Sequence, residues 1–153
     1  MPNHVINHVS FTDCTPARRR EILEAIQYDD NGENEYHGIG TIDFNKIIPM
    51  PESLDIESGT RTDHGIELCL TAANPLVDYF GDKKMSPDDF TALLARANRG
   101  KMFGSYRSSL SKEEIERITE HDSAESLMKV GSQALQNVVL FGSPDWYDWR
   151  CRN

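Results

Sequence analysis

Two closely spaced histidines are the first residues whose type and spacing could bind a metal ion. His4 and His8 lie four positions apart in a segment that alternates in hydrophobicity, a pattern typical of a strand. Four positions of a strand span about 13 Å, so the two imidazoles cannot bind one ion. The other histidines, His37, His64 and His121, have no neighbour at ligand spacing, and the sequence predicts no metal site.

The loop that begins at Asp29 resembles the first half of a calcium-binding loop. Asp29, Asn31 and Glu33 alternate as its first oxygen ligands would. The sixth position requires glycine for a sharp turn but holds Asn34, and the twelfth requires glutamate but holds Gly40. We therefore expect no calcium here.

Cofactor and nucleophile motifs are also missing. Gly38 and Gly40 precede a predicted strand instead of following one, the reverse of a dinucleotide-binding turn, and neither a Walker motif nor a nucleophile elbow occurs. Cys14, Cys69 and Cys151 include no CxxC pair, which argues against a disulfide framework and a zinc site. The sequence predicts no cofactor and no catalytic residue, although a site built from scattered residues stays open.

The first third of the chain has the pattern strand, helix, strand. Alternating residues predict strands over Asn3–Phe11 and Ile39–Ile48, and Pro49 and Pro51 end the second. Between the strands, helix-start chemistry and apolar residues at helical spacing predict a helix over Pro16–Gln27.

Helices dominate the remaining chain. Beyond a predicted helix over His64–Ala73, three more are expected, because serine caps precede apolar residues at helical spacing. The caps are Ser86, Ser111 with Glu114 in a capping box, and Ser123. The fold class is therefore expected to be α+β, with a small antiparallel sheet and a large helical region.

The chain of 153 residues fits one domain, expected over residues 1–153. Apolar residues make up 38% and charged residues 27%, which favours a packed core over disorder. The first residues lack the pattern of a signal peptide, and no apolar run approaches the length of a membrane span, so we expect a cytoplasmic protein with no membrane contact.

Three segments carry a family resemblance: the opening MPNHVINHV, DFNKIIPMPESL from Asp43 to Leu54, and FGSPDWYDWRCRN from Phe141 to Asn153. Together they resemble the YubB-like family of uncharacterised plasmid and phage proteins. The resemblance implies half of a ferredoxin-like fold and a gene on a mobile genetic element, and it implies no known activity. The family usually has tryptophan where His4 stands, and its chains continue into further strands.

Net charge bears most directly on function. The formal charge of −9 argues against direct binding to nucleic acid, whose phosphates are held by clustered lysine and arginine. One basic and aromatic segment could still contact phosphates, although such runs are most often solvated loops: Arg96, Arg99, Lys101, Phe103, Tyr106 and Arg107.

An acidic protein without catalytic groups is expected to act by binding. We expect a non-enzymatic inhibitor that occupies the nucleic-acid site of a host defence complex, such as a CRISPR effector or restriction enzyme. The densest acidic run is the candidate surface, with a solvated loop as the alternative: Asp29, Asp30, Glu33 and Glu35. Two other functions stay open, a small enzyme or ligand-binding domain, and a nucleic-acid-binding module that uses the sheet face.

The second candidate surface is the aromatic cluster of Trp146, Tyr147 and Trp149 near the end of the sequence. A two-stranded sheet is marginal on its own, so its edge needs a cover: the helical region of the same chain, a second copy in a homodimer, or a strand added by a partner. The aromatic residues then either anchor such an interface or pack inside the monomer.

Overall fold

The structure is a computed structural model that describes residues 9–32, 35–81 and 84–152. The chain divides into two compact units, Met1–Pro49 and Met50–Asn153, and each is described by itself. The single domain expected from length stays a prediction. Within the described ranges no helix has both the length and the apolar character needed to cross a bilayer.

The first unit contains one α-helix, α1, over Pro16–Ile26. The Thr15 hydroxyl caps it by accepting a hydrogen bond from the backbone of Arg18 at 3.2 Å, and Pro16 occupies its first turn. This helix confirms the prediction from the sequence. None of the described residues of this unit is buried, so α1 presents its arginines and glutamates to solvent.

The predicted antiparallel sheet is wrong for the described residues. Ile39–Ile48 forms an isolated bridge between Ile39 and Thr41 and then a 3₁₀ turn over Phe44–Lys46. Residues 9–11 of the other expected strand are irregular, and positions 3–8 lie outside the described residues. The sequence therefore does not form the expected ferredoxin-like half, and the described chain is helical.

Local interactions explain why the second strand does not form. Gly38 and Gly40 have φ angles of 85° and 105°, which turn the chain where an extended strand would continue. Asp43 then caps the 3₁₀ turn by accepting a hydrogen bond from the backbone of Asn45 at 2.9 Å. The alternation of apolar residues is the pattern of a strand with one buried face, but it carries no information about a partner strand.

The second unit is helical. Its α-helices are α2 over Thr60–Ala73, α3 over Pro87–Gly100, α4 over Lys112–Ile118, α5 over Ala124–Phe141 and α6 over Trp146–Arg150. The predicted caps are confirmed, including the full capping box at Ser111 and Glu114. A 3₁₀ turn over Glu52–Leu54 precedes α2.

Helices α2 and α5 form the centre of this unit. They cross at Gly65 and Gly131, where the backbones touch so closely that no side chain fits between them. One apolar cluster around Ile66 and Leu70 includes residues of α3 and α5, and a second around Leu68 and Leu127 includes residues of α4. The core therefore holds the surfaces of α3, α4 and α5 in fixed positions.

Candidate functional site

The aromatic segment near the end of the chain is held by its own helix cap. The Asp145 carboxylate accepts hydrogen bonds from the backbones of Tyr147 and Asp148 at 2.9 and 3.1 Å. Asp145 is buried, with 4% of its surface exposed. A buried cap starts α6 at Trp146, so the orientation of both tryptophans depends on this carboxylate.

A second buried carboxylate ties α6 to the loop after α3. Asp148 accepts a hydrogen bond from the backbone of Met102 at 2.9 Å. Burial and then the nearby charge of Asp145 raise the pKa of Asp148, while the Met102 amide and the charges of Arg152 and Lys101 oppose that rise. The loop and α6 are therefore joined through a carboxyl group whose ionised form is disfavoured by burial.

Lys101 supplies the positive charge of this polar cluster. Its ammonium lies 2.7 Å from the Asp63 carboxylate and 4.1 Å from the centre of the Tyr106 ring. The Tyr106 hydroxyl is hydrogen-bonded to Asp63, and burial followed by the surrounding carboxylates raises the pKa of Tyr106. The phenol is therefore held neutral, which makes it a poor nucleophile and a good structural donor.

The polar cluster consists of Asp63, Lys101, Tyr106, Asp145 and Asp148, and its role is to hold α6 and the loop after α3 in place. Its carboxylates already accept bonds from backbone amides, Tyr106 or Lys101. Among the described residues, no group of three or more His, Cys, Asp or Glu side chains has the geometry to hold a metal ion. The arrangement fixes α6 and the loop after α3 as one rigid end of the helical unit.

The predicted aromatic residues differ in burial. Trp146 and Trp149 are half-buried, and Tyr147 is exposed over 43% of its surface. The rings of Trp146 and Tyr147 meet edge to face at 5.7 Å, and the Arg150 guanidinium lies 5.5 Å from the centre of the Trp146 ring. Their role in partner binding stays a prediction.

Apolar and basic residues near this aromatic segment form, together with Tyr147, a surface that we name the C-terminal face: Met102, Phe103, Phe141, Tyr147, Arg150 and Arg152. Phe103 is 69% exposed, and Met102, Phe141 and Tyr147 are each at least 40% exposed. The Met102–Asp148 hydrogen bond and the close approach of Gly100 to Gly142 bring these segments together. Nothing in the sequence pattern indicates Met102 as part of this surface, because only the fold brings it to α6.

The predicted acidic loop lies in the first unit. Asp29 and Asp30 are exposed, as is Glu35, whereas Glu33 lies outside the described residues. Asp29 forms an ion pair with Lys46 at 2.8 Å, and the Asp30 side chain accepts a hydrogen bond from the backbone of Gly32 at 3.2 Å. Part of the charge of this loop is thus neutralised within its own unit.

A second acidic surface became evident only in the folded chain. We name it the acidic edge: Glu113, Glu116, Glu120 and Glu125, at α4 and the start of α5. All four are exposed, and none forms an ion pair within the described structure. In the sequence these residues are spread over thirteen positions, and in the structure α4 and α5 contribute to one apolar cluster.

The basic, aromatic segment loses much of its capacity for phosphate contacts. Lys101 pairs with Asp63, and Arg107 forms ion pairs with Glu67 at 2.6 Å and Glu114 at 2.7 Å. Tyr106 is buried. The segment therefore mainly joins the loop after α3 to α2 and α4.

Known proteins provide no further guide to this site. The chain matches no family of known proteins, no curated protein and no solved structure. The resemblance to YubB-like proteins stays a prediction.

Proposed function

We propose that this protein is a non-enzymatic binding protein of the cytoplasm, which inhibits a nucleic-acid-binding defence protein by occupying its basic groove. A CRISPR effector or a restriction enzyme is the expected class of target. The carboxylates of the acidic edge take the place of nucleic-acid phosphates, and the excess negative charge speeds the encounter with a basic surface.

The observation that carries the proposal is the availability of the acidic edge. Glu113, Glu116 and Glu125 stand on helices that contribute Ile118 and Leu127 to the core, and Glu120 follows the end of α4. By contrast, Glu67, Asp63 and Asp122 each bind an internal cation. Carboxylates that bind no internal cation have no ion pair to break when they meet arginine or lysine side chains.

Inhibition of purified nucleases tests the proposal. Cleavage of a DNA substrate by a panel of CRISPR effectors and restriction endonucleases is measured with increasing amounts of the protein, at low and at high salt. We expect inhibition of at least one enzyme, and we expect the inhibition to weaken as salt rises, because the contact is between opposite charges.

A neutral variant identifies the surface. Replacing Glu113, Glu116, Glu120 and Glu125 by glutamine should abolish inhibition while the circular dichroism of the helices is kept. The matched control replaces Asp29, Asp30, Glu33 and Glu35 by asparagine or glutamine and should retain it. Equal inhibition by both variants would show that the acidic edge is not the binding surface, and inhibition of no enzyme would refute the function.

A further inference from the structure

The C-terminal face and the acidic edge carry complementary features on one unit. The face has exposed aromatic and apolar side chains with Arg150 and Arg152 beside them. The edge has four exposed carboxylates. Arginine beside aromatic side chains is the composition found at the centre of protein interfaces, and carboxylates are its natural partners.

The two surfaces cannot satisfy each other within one chain. Glu125 lies in the first turn of α5 and Phe141 at its last residue. At 1.5 Å per residue, these 16 positions separate them by about 24 Å. Because charges in physiological salt are screened beyond about 10 Å, the arginines of the face do not neutralise the edge of the same molecule.

We propose that a second copy of this chain docks on the C-terminal face through its acidic edge. In a two-fold arrangement each copy gives its edge to the face of the other, so both contacts form at once and the assembly closes as a dimer. The arginines pair with carboxylates at the rim, while Phe103 and Tyr147 become buried between them.

An exposed apolar groove on α3 and α5 adds area to this arrangement. A shallow groove of about 360 Å³ follows α3 and α5, lined by Leu93, Ser132, Leu135, Gln136, Val139 and Leu140. Val139 and Leu140 are exposed over 49% and 69% of their surfaces. Antiparallel pairing of the two α5 helices in the proposed dimer would cover this groove.

The dimer goes beyond the proposed function, and it would also compete with it. The acidic edge is used in both contacts, so a chain in the dimer cannot offer its carboxylates to a nuclease. The two proposals remain separable, because sedimentation measures self-association without any target present.

Sedimentation of charge-reversed variants tests the dimer. Variant F carries Arg150→Glu and Arg152→Glu on the face, and variant E carries Glu116→Lys and Glu120→Lys on the edge. Each alone should be monomeric, because like charges meet at both contacts. A mixture of F and E should form a heterodimer, because the acidic edge of F meets the arginines of E, and the lysines of E meet the new glutamates of F.

The wild type should sediment as a dimer whose Kd rises by at least about tenfold between about 50 mM and about 500 mM salt. The control Asp29→Lys with Asp30→Lys should keep the dimer, whereas Phe103→Ser should weaken it without changing charge. A monomeric wild type at high concentration, an open-ended polymer, or no association in the mixture of folded F and E would overturn the proposal.

Discussion

Gly65 and Gly131 touch across the crossing of α2 and α5. A Cβ atom at position 131 would lie 2.1 Å from the carbonyl carbon of Gly65, and one at position 65 would lie 2.2 Å from the carbonyl oxygen of Leu127. Since real Cβ contacts are never this short, the two helices pack backbone to backbone at this point. The positions of α3, α4 and α6 on the unit depend on this crossing.

Gly131→Ala should therefore destabilise the protein, although alanine is the better helix former. The methyl group would force the helices apart and cost about 1–3 kcal/mol, more than the roughly 1 kcal/mol gained in helix propensity. Urea unfolding followed by circular dichroism measures the difference. Ser132→Ala, at the exposed neighbouring position on α5, is the control and should leave the midpoint unchanged or slightly raised. A Gly131→Ala midpoint at or above that of wild type would contradict the close crossing.

Tryptophan fluorescence should report on the cap of α6, because both tryptophans of the chain lie in this helix. Asp145→Ala removes the acceptor for two backbone amides and should cost about 1 kcal/mol. It should also shift the emission to longer wavelength as Trp146 and Trp149 become more exposed. Asp145→Asn keeps an accepting oxygen and should preserve the native spectrum. If both variants kept that spectrum, the cap would not hold the helix.

Stability should depend on pH through Asp148. Its pKa is raised in the folded chain, so the unfolded chain loses the proton first as pH increases. The folded state then binds more protons than the unfolded state, and the contribution of this group to stability falls from its low-pH level as pH rises through the folded pKa. Asp148→Asn keeps an oxygen for the Met102 amide but does not titrate. The free energy of unfolding of the variant should therefore rise relative to that of wild type as pH increases from the ordinary aspartate pKa of about 4 through the raised pKa of Asp148.

Parallel stability curves for wild type and Asp148→Asn across this range would show that Asp148 does not titrate differently in the folded chain. Chemical denaturation at several pH values provides both curves.

Arg107 should not be replaceable by lysine. Its guanidinium contacts both oxygens of the buried Glu67 and also reaches Glu114 at 2.7 Å. Arg107→Lys keeps the charge but loses the two-pronged contact and should cost about 1–2 kcal/mol. This free-energy cost is smaller than that of breaking a fully buried ion pair, because the arginine side chain is 42% exposed and solvent screens its charge. Arg117→Lys, on the exposed side of α4, is the matched control, and equal unfolding midpoints for the two variants would disprove a special role for Arg107.

Local sequence determined where four of the described helices begin, whereas α2 begins at Thr60, four residues before the predicted His64, and has no side-chain cap. Ser86, Ser111 and Ser123 each cap a helix with their own hydroxyl, and Thr15 does so for α1. These bonds join residues three positions apart, so the information lies within one turn of chain. The absence of known metal and nucleotide motifs was equally readable from the sequence.

Only the tertiary structure decided the sheet and the surfaces. A strand is stabilised by a partner distant in sequence, and the alternation over Ile39–Ile48 carried no information about one; no such partner pairs with it among the described residues, and the local turns at Asp43 and the two glycines set its conformation. The attachment of α6 to the loop after α3 depends on the hydrogen bond between Asp148 and Met102, which lie 46 positions apart. The acidic edge likewise depends on an apolar cluster formed by residues distant in sequence, to which Ile118 of α4 and Leu127 of α5 both contribute.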